Sequence, residues 1–241
     1  MSAVGASAES APEPRPRVRL LDIDADLAAT VPEEERDRAG TFATVTLERL
    51  EPGPWSAPEA AEPGCLGLLV MRGLVSRDVA YGGMRSRELL GRGDVLRPWD
   101  VADHLLPVSP EASWTVVEAA ELASMDRSVL RLGARWPELI EELMHRILHR
   151  SRGLAVQLAV TGMPRVDQRL LYFLWHAAGR WGLVTPEGTL VPFNLTHDVL
   201  ADLVEARRPS VTTALKKLRR DGKLERVDDG WLLKGEPPND S

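Results

Sequence analysis

The densest chemistry in this chain lies between Arg207 and Lys223, in the text R-R-P-S-V-T-T-A-L-K-K-L-R-R-D-G-K. Val211, Ala214, Leu215 and Leu218 repeat at helical spacing, so one face of this segment is apolar and the other displays hydroxyls and cations. A guanidinium can hold the edge of a guanine through two hydrogen bonds, and hydroxyls reach bases or phosphates. Arg207, Arg208, Ser210, Thr212 and Thr213 fall at the start of the segment. Lys216, Lys217, Arg219, Arg220 and Lys223 follow; they suit phosphate neutralisation, which gives affinity without sequence choice. The pattern points to double-stranded DNA. A protein–protein adaptor built on the same kind of helix pair is the alternative from another class.

Other chemistry-bearing residues are scattered. Arg97, Trp99 and Trp114 are the candidates for a small-molecule pocket. His145 and His149 stand one helical turn apart and could share a metal, but read better as a solvated helix face. Asp100, Asp103 and His104 form a small polar group, and His104 is isolated from any second haem ligand. Cys65 is the single cysteine, so neither an internal disulfide framework nor a four-cysteine metal site is available within one chain. Its apolar surroundings suggest a core residue. Trp99, Trp114, Trp136, Trp175, Trp181 and Trp231 read as core and hinge packing. No phosphate-binding loop, nucleophile elbow or H-E-x-x-H pair occurs. No catalytic residue and no metal site is therefore nominated, and the expectation is a protein that is not an enzyme.

The elements that would position the basic segment can be read on either side of it. Thr196 is a cap candidate for a helix His197–Val204 that buries Val199, Leu200 and Leu203. Glu205 to Arg208 make a tight turn, and Pro209 suits the first position of a second helix, Ser210–Arg220. Asp221-Gly222 ends it. Lys223–Val227 and Trp231–Lys234 flank Asp228-Asp229-Gly230 as a hairpin. Two short helices, the second polar and basic, followed by a hairpin describe a winged helix-turn-helix.

Upstream, the hydrophobic period changes twice. Residues 19–125 read mostly as strands: Thr41–Leu50, Cys65–Met71, Leu74–Tyr81, Met84–Leu90 and Trp114–Leu122, with a hairpin signal at Gly82-Gly83. Short strands with regular turns favour a β-roll of jelly-roll type. Ser128–Leu132 reads as a short helix that breaks near Gly133. Pro137 opens a helix of about 24 residues, roughly 36 Å long at 1.5 Å per residue. Ile140, Met144, Ile147, Ser151, Leu154 and Leu158 recur at steps of four and three along it, the seam of a coiled coil. With Glu141, Glu142, Arg146 and Arg150 read as the solvated remainder, the seam is expected to join two subunits. Pro164 starts a further helix to about Ala178, with a bend at Gly179–Gly182 and a short strand at Leu190–Phe193. The fold class expected is thus α+β: a mobile leader over 1–18, the β-roll over 19–125, a dimerisation helix over 126–161, the winged helix-turn-helix over 162–236 and a tail over 237–241.

The whole chain of 241 residues carries a formal charge of −6, which taken alone argues against a nucleic-acid partner. The mean conceals an asymmetry. Residues 1–161 hold 18 arginines and no lysine against 25 Asp and Glu, while residues 162–236 hold 12 Lys and Arg against 10 acids. All four lysines follow residue 215. No apolar run reaches the length of a membrane span, and the N-terminus has no secretory pattern, so the expected location is the cytoplasm.

The segment L-A-D-L-V-E-A-R-R-P-S-V-T-T-A-L-K-K-L-R-R-D-G-K-L, Leu200 to Leu224, with G-W-L-L after it, resembles the Crp–Fnr family of bacterial transcription regulators. The likeness is specific in its text over 164–235 and one of element order over 19–160. It implies a cyclic-nucleotide-binding-like β-roll and a homodimer that reads near-palindromic double-stranded DNA, with RNA polymerase as a further expected partner and no membrane. One departure lies in the helix–helix turn, where the family often has Gly and this chain has Glu205; the turn must avoid a positive φ or absorb strain. A second lies in the β-roll. The family's cyclic-nucleotide cassette has Gly-Glu for the ribose and a downstream Arg for the phosphate, whereas Gly93-Asp94 here leads into Val95-Leu96-Arg97-Pro98-Trp99. No Lys or Arg lies between Arg97 and Arg127, and a buried phosphate without a cation faces a severe desolvation cost. The expectation is no cofactor, and no cAMP in the usual mode; a regulator gated by some other small ligand in the β-roll is the alternative.

Overall fold

The computed structural model describes residues 15–61, 63–100, 109–228 and 230–238. The N-terminal half runs β1 (Arg17–Arg19), α1 (Leu20–Ile23), α2 (Ala25–Ala29), a 3-10 turn (Glu33–Glu35) and α3 (Arg36–Phe42), then β2 (Thr44–Leu50) and β3 (Gly53–Trp55). The strands β4 (Gly67–Tyr81), β5 (Met84–Gly91), β6 (Val95–Leu96) and β7 (Glu111–Met125) complete it. All seven strands belong to one antiparallel sheet with the path β1-β2-β7-β4-β5; β3 joins β7 and β6 joins β4. The β4–β5 hairpin turns at Gly82-Gly83, both at positive φ, as expected. β4 is a single strand where two were expected. Its register with β7 slips between Val70 and Val75, and bulges of this kind bend a strand so that a sheet can roll.

The stretch 20–42 was read as part of a strand-rich region and is helical instead. Elements of four to seven residues are too short for hydrophobic periodicity to declare them. They are fixed by tertiary burial: Leu20, Leu27, Val31 and Ala39 are fully covered, and Asp24 caps α2 by accepting from the Leu27 N–H at 3.0 Å. Residues 15–18, placed in the leader by composition, are also ordered, since Arg17–Arg19 pair with Thr44–Thr46 and Arg15 meets Glu48 at 2.9 Å.

Helix α4 (Arg127–Arg135) is capped by Asp126 and continues through Gly133. A Cβ there would lie 2.0 Å from Ile140 Cγ1; the glycine serves close helix approach rather than a break. Helix α5 (Pro137–Thr161) opens on Pro137 as expected. Helix α6 (Val166–Trp181) runs three residues beyond the predicted end and stops at Gly182. The rest is β8 (Leu183–Thr185), β9 (Gly188–Val191), α7 (His197–Leu203), α8 (Arg208–Arg220), β10 (Leu224–Val227) and β11 (Gly230–Leu233). These four strands form a second sheet, β10-β11-β9-β8. The α+β class, with a β-roll, a long helix and a winged helix-turn-helix, is borne out.

Leu170, Phe173, Leu174, Leu200, Leu203, Val211, Leu215 and Leu218 form the core of the C-terminal unit, closed by Trp231 and Leu233 of the wing. Leu74 and Leu89 of the β-roll belong to the same cluster, so the two halves share buried surface. Full burial of a leucine is worth about 1.5–3 kcal/mol.

Candidate nucleic-acid interface

Helix α7 starts at Thr196, whose Oγ1 accepts from the Val199 N–H at 3.2 Å. After Leu203 the chain turns through Glu205 at φ 49°, the one non-glycine residue at positive φ among the described residues. The sequence left two outcomes for this turn, and it takes the strained one. Arg169 of α6 supports it from below. Its guanidinium donates to the carbonyls of Met163, Val204 and Glu205 at 2.6, 3.1 and 3.1 Å, satisfying acceptors that the end of α7 leaves open. Nothing local to the turn announces this arginine, which is 35 residues away from Val204 in sequence.

Helix α8 begins at Arg208, with Arg207 at its cap position and Pro209 in its first turn. That start is earlier than expected, within the ordinary ambiguity of helix ends. Val211, Ala214, Leu215 and Leu218 are buried as the spacing required. Arg207, Arg208, Ser210, Thr213, Lys216, Arg219, Arg220 and Lys223 are all exposed. Arg208 lies 3.3 Å from Asp198, both side chains two-thirds exposed, an ion pair weak enough to open for another acceptor. Thr213 bonds back to the Pro209 carbonyl at 3.0 Å. Arg220 is 3.5 Å from Asp221.

Two of the nominated residues face elsewhere. Thr212 is half-buried and shares a hydrogen bond with His197 Nδ1 at 2.9 Å. Lys217 turns toward α6 and pairs with Asp167, which Arg165 also holds at 2.7 Å. The Arg165 hydrogen bonds, helped by Lys217 against partial burial, keep the Asp167 carboxyl well below the usual range. The wing adds Lys234, bound to Glu225 at 2.5 Å. Arg226 lies over Trp231 at 4.7 Å and donates to Asn194 Oδ1 at 2.5 Å.

The long helix presents two faces. Met144, Ile147, Leu154 and Leu158 are exposed, Leu158 to 76% and Met144 to 51%. Ser151 is open beside them, and Ile140 is half-buried against Gly133. A second face is packed, Leu139 and Leu143 against the β-roll and Val160 in the cluster of the C-terminal unit. Arg146 and Arg150 belong to that packed face and not to the solvated remainder, a correction to the sequence reading. Arg146 donates to Asp24 at 2.6 Å and Glu142 at 2.8 Å; Arg150 donates to Glu88 at 2.7 and 2.9 Å. Burial alone would raise the Asp24 carboxyl, but the Arg146 hydrogen bonds and charge and the Leu27 N–H outweigh it, leaving it below the ordinary range. Helical spacing shows which residues share a face; it cannot show that two arginines on it meet carboxylates 122 and 62 residues away.

The C-terminal unit rests on the β-roll through further pairs. Arg180 of α6 holds Asp94 at 2.6 and 2.7 Å, and Arg87 of β5 reaches Asp202 of α7 at 2.7 Å. Burial nonetheless pushes the Asp94 carboxyl upward, outweighing Arg180. Trp181 lies so close to Gly91 that a Cβ there would meet the indole at 2.8 Å.

Among the described residues, Arg97, Trp99 and Trp114 do not converge on one pocket. Arg97 is committed to Asp100 and donates to the Leu66 carbonyl at 2.6 Å, with its guanidinium 5.7 Å from the Trp99 ring. Trp99 and Trp114 pack into one apolar cluster with Leu68, Leu96 and Leu122, and Trp114 meets Trp55 edge-on at 5.8 Å. Cys65 is half-buried, its Sγ 3.6 Å from Ser124 Oγ. The His145 and His149 rings are 6.4 Å apart, and no group of three or more potential metal ligands occurs among the described residues. Asp103 and His104 lie outside them.

A β-roll, a long helix with an open apolar stripe, and a winged helix-turn-helix with a basic second helix thus occur in one chain. Residues 168–234 match the Crp-like helix-turn-helix domain. The chain is 29% identical over 185 residues to a CRP-like cAMP-activated global transcriptional regulator of Mycobacterium tuberculosis, covering 71% of this chain and 80% of that one. In fold it is similar to a cyclic nucleotide-binding domain containing protein from Listeria monocytogenes EGD-e (TM-score 0.64, 14% identity, 88% of this chain and 97% of that one). A CooA mutant from Carboxydothermus hydrogenoformans is also similar (TM-score 0.58, 21% identity, 79% and 83%). The resemblance to the Crp–Fnr regulators is borne out: the chain carries their Crp-like helix-turn-helix domain and their fold. Among the described residues no helix is long and apolar enough to cross a membrane.

Proposed function

We propose that the chain acts as a homodimeric, sequence-specific DNA-binding transcription regulator in the cytoplasm, with no catalytic role of its own. The observation that carries this reading is the solvent-exposed start of α8, where Arg207, Arg208, Ser210 and Thr213 stand free of the core. Laid in the major groove, these side chains would meet base edges, while Lys216, Arg219, Arg220 and Lys223 would meet phosphates. The open stripe Met144–Ile147–Ser151–Leu154–Leu158 supports pairing of two copies through α5. A two-fold axis there would present two recognition helices about 34 Å apart to a near-palindromic site. The working division is residues 19–125 as sensor-like β-roll, 126–161 as dimer helix and 162–236 as DNA reader, with RNA polymerase as a partner at the promoter.

The chain does not bind cAMP in the usual mode, unlike what the name of the cAMP-activated mycobacterial relative implies for that protein; gating by another small ligand is the alternative. In support, Arg97 is already spent on Asp100 and Leu66, and the text from Pro98 to Asp126 contains no Lys or Arg. Calorimetry with cAMP tests this, tight binding being the contrary result. The DNA reading is tested by recovering bound genomic fragments and comparing Arg208→Ala with the wild type on the recovered site and on random DNA. A selective loss on the site, about 1–3 kcal/mol per base contact, is expected; equal loss on both would remove Arg208 from base reading.

A further inference from the structure

Between the β-roll, the middle of α5 and the end of α6 lies a cleft of about 860 Å³, within the range of small-ligand sites, which favour domain junctions. Its floor is the β4 bulge and the turn Gly91–Asp94; its far wall is Trp181 and Phe193, packed edge-on at 5.5 Å. The charges on its walls are unequal in availability. Asp24 and Glu142 share the single charge of Arg146, and Asp94 pairs with Arg180. Arg72 and Arg92 are exposed and make no hydrogen bond or ion pair through their side chains with any described residue. Asp26 lies 3.9 Å from the same Arg146, so four acids face Arg72, Arg92, Arg146 and Arg180 in the lining and their formal charges balance. What sets Arg72 and Arg92 apart is that neither guanidinium is tied up in an ion pair with a described residue, although Arg92 acts through space on Asp24.

Those two groups sit on fixed backbone. Arg72 is carried by the bulge, beside Gly73 at φ 78°, where any Cβ would strike the Ala119 carbonyl at 2.1 Å. Arg92 is carried by a turn that Asp94 closes by accepting the Gly91 N–H at 2.8 Å. Opposite them, His145 and His149 of α5 add ring nitrogens for hydrogen bonding. With 3.6 residues per turn, these histidines lie about 160° around α5 from the Ile140–Leu158 stripe; a partner on that stripe would leave the cleft open.

We propose that this cleft is a binding site for a small organic phosphate, held by Arg72 and Arg92 on the β-roll side and by His145 and His149 on α5. Guanidinium forks suit phosphate oxygens, and the apolar wall at Trp181 and Phe193 suits the organic part. Such a ligand would touch both the β-roll and the DNA-reading unit, and so bias their mutual placement. The site is separate from the interior of the roll, where a cyclic nucleotide would be sought.

The test is calorimetric titration of the full-length protein, without DNA, using adenosine 5′-monophosphate, guanosine 5′-monophosphate and pyrophosphate as probes. Saturable binding of at least one probe at one site per chain is expected, weakened tenfold or more in R72A/R92A. R85A, which removes an exposed arginine of β5 outside the cleft, should bind like the wild type. Neither Arg72 nor Arg92 makes a side-chain hydrogen bond or ion pair with a described residue, and Arg92 acts on Asp24 only through space, so the double variant should melt close to the wild type. No binding by any probe at millimolar concentration, or equal affinity in the double variant, overturns the proposal. Because no DNA is used, that failure would be distinct from a failure of the DNA-binding reading.

Discussion

Lys216 and Lys217 are adjacent, chemically identical and equally basic by sequence, yet the fold gives them different work. Lys216 points to solvent from α8. Lys217 is 37% exposed and tied to Asp167 on α6. If α8 lies along the groove, Lys216 neutralises one phosphate per subunit and Lys217 none. Each phosphate contact contributes about −0.9 to the slope of log K against log salt, so a dimer lacking Lys216 should show a slope shallower by about 1.8. Between 50 and 200 mM salt, the wild type would then lose roughly tenfold more affinity than Lys216→Ala. Lys217→Ala should leave the slope within a few tenths of the wild-type value. It loses one partly exposed ion pair, whose worth is under about 1 kcal/mol, and Asp167 keeps Arg165. Fluorescence anisotropy of a labelled duplex over a salt series measures both slopes. Equal slopes for the two variants, or a larger change in Lys217→Ala, would refute this placement of α8.

Replacing Glu205 by Gly should raise stability by about 0.5–1 kcal/mol in urea melts, since relief of a left-handed conformation exceeds the entropy cost of glycine; Glu205→Ala, which keeps the φ of 49°, should not, and a gain in Ala equal to that in Gly would argue against strain. Leu158→Glu should turn a dimer into a monomer by sedimentation without altering the circular dichroism, because Leu158 is exposed in the single chain; an unchanged dimer would exclude the stripe as the seam. Asp24→Asn should cost about 3 kcal/mol at neutral pH, as it strips a buried arginine of its main partner. The Asp24 carboxyl is lowered in the folded chain, so its stabilisation is complete above the ordinary carboxylate range and fades as pH falls through and below it. The stability gap between wild type and Asp24→Asn should therefore close in acid, and a gap that stays constant would contradict the sign.

Much of this architecture was legible in the text. The recognition helix announced itself because an exposed helix keeps its period: Val211, Ala214, Leu215 and Leu218 were bound to face inward once the segment was helical, whatever packed against them. The β4–β5 hairpin was equally local, a Gly-Gly pair between alternating runs. The stripe on α5 could be drawn from spacing alone, and in the single chain most of it is open.

What the text could not supply was the partner of each charge. It placed Arg146 and Arg150 in solvent and put Lys217 on the DNA face. The fold sends Arg146 to Asp24, Arg150 to Glu88 and Lys217 to Asp167. The short helices of 20–42 were missed because tertiary cover, not periodicity, stabilises them. Arg97, Trp99 and Trp114 were grouped by type, and packing assigned the arginine to Asp100 and the rings to the apolar interior. Sequence by itself determined which residues share a face, because helix and strand periods are local properties of the backbone. The availability of a given cation for a phosphate was decided only by the tertiary structure, because ion pairing depends on distances between residues that are remote along the chain.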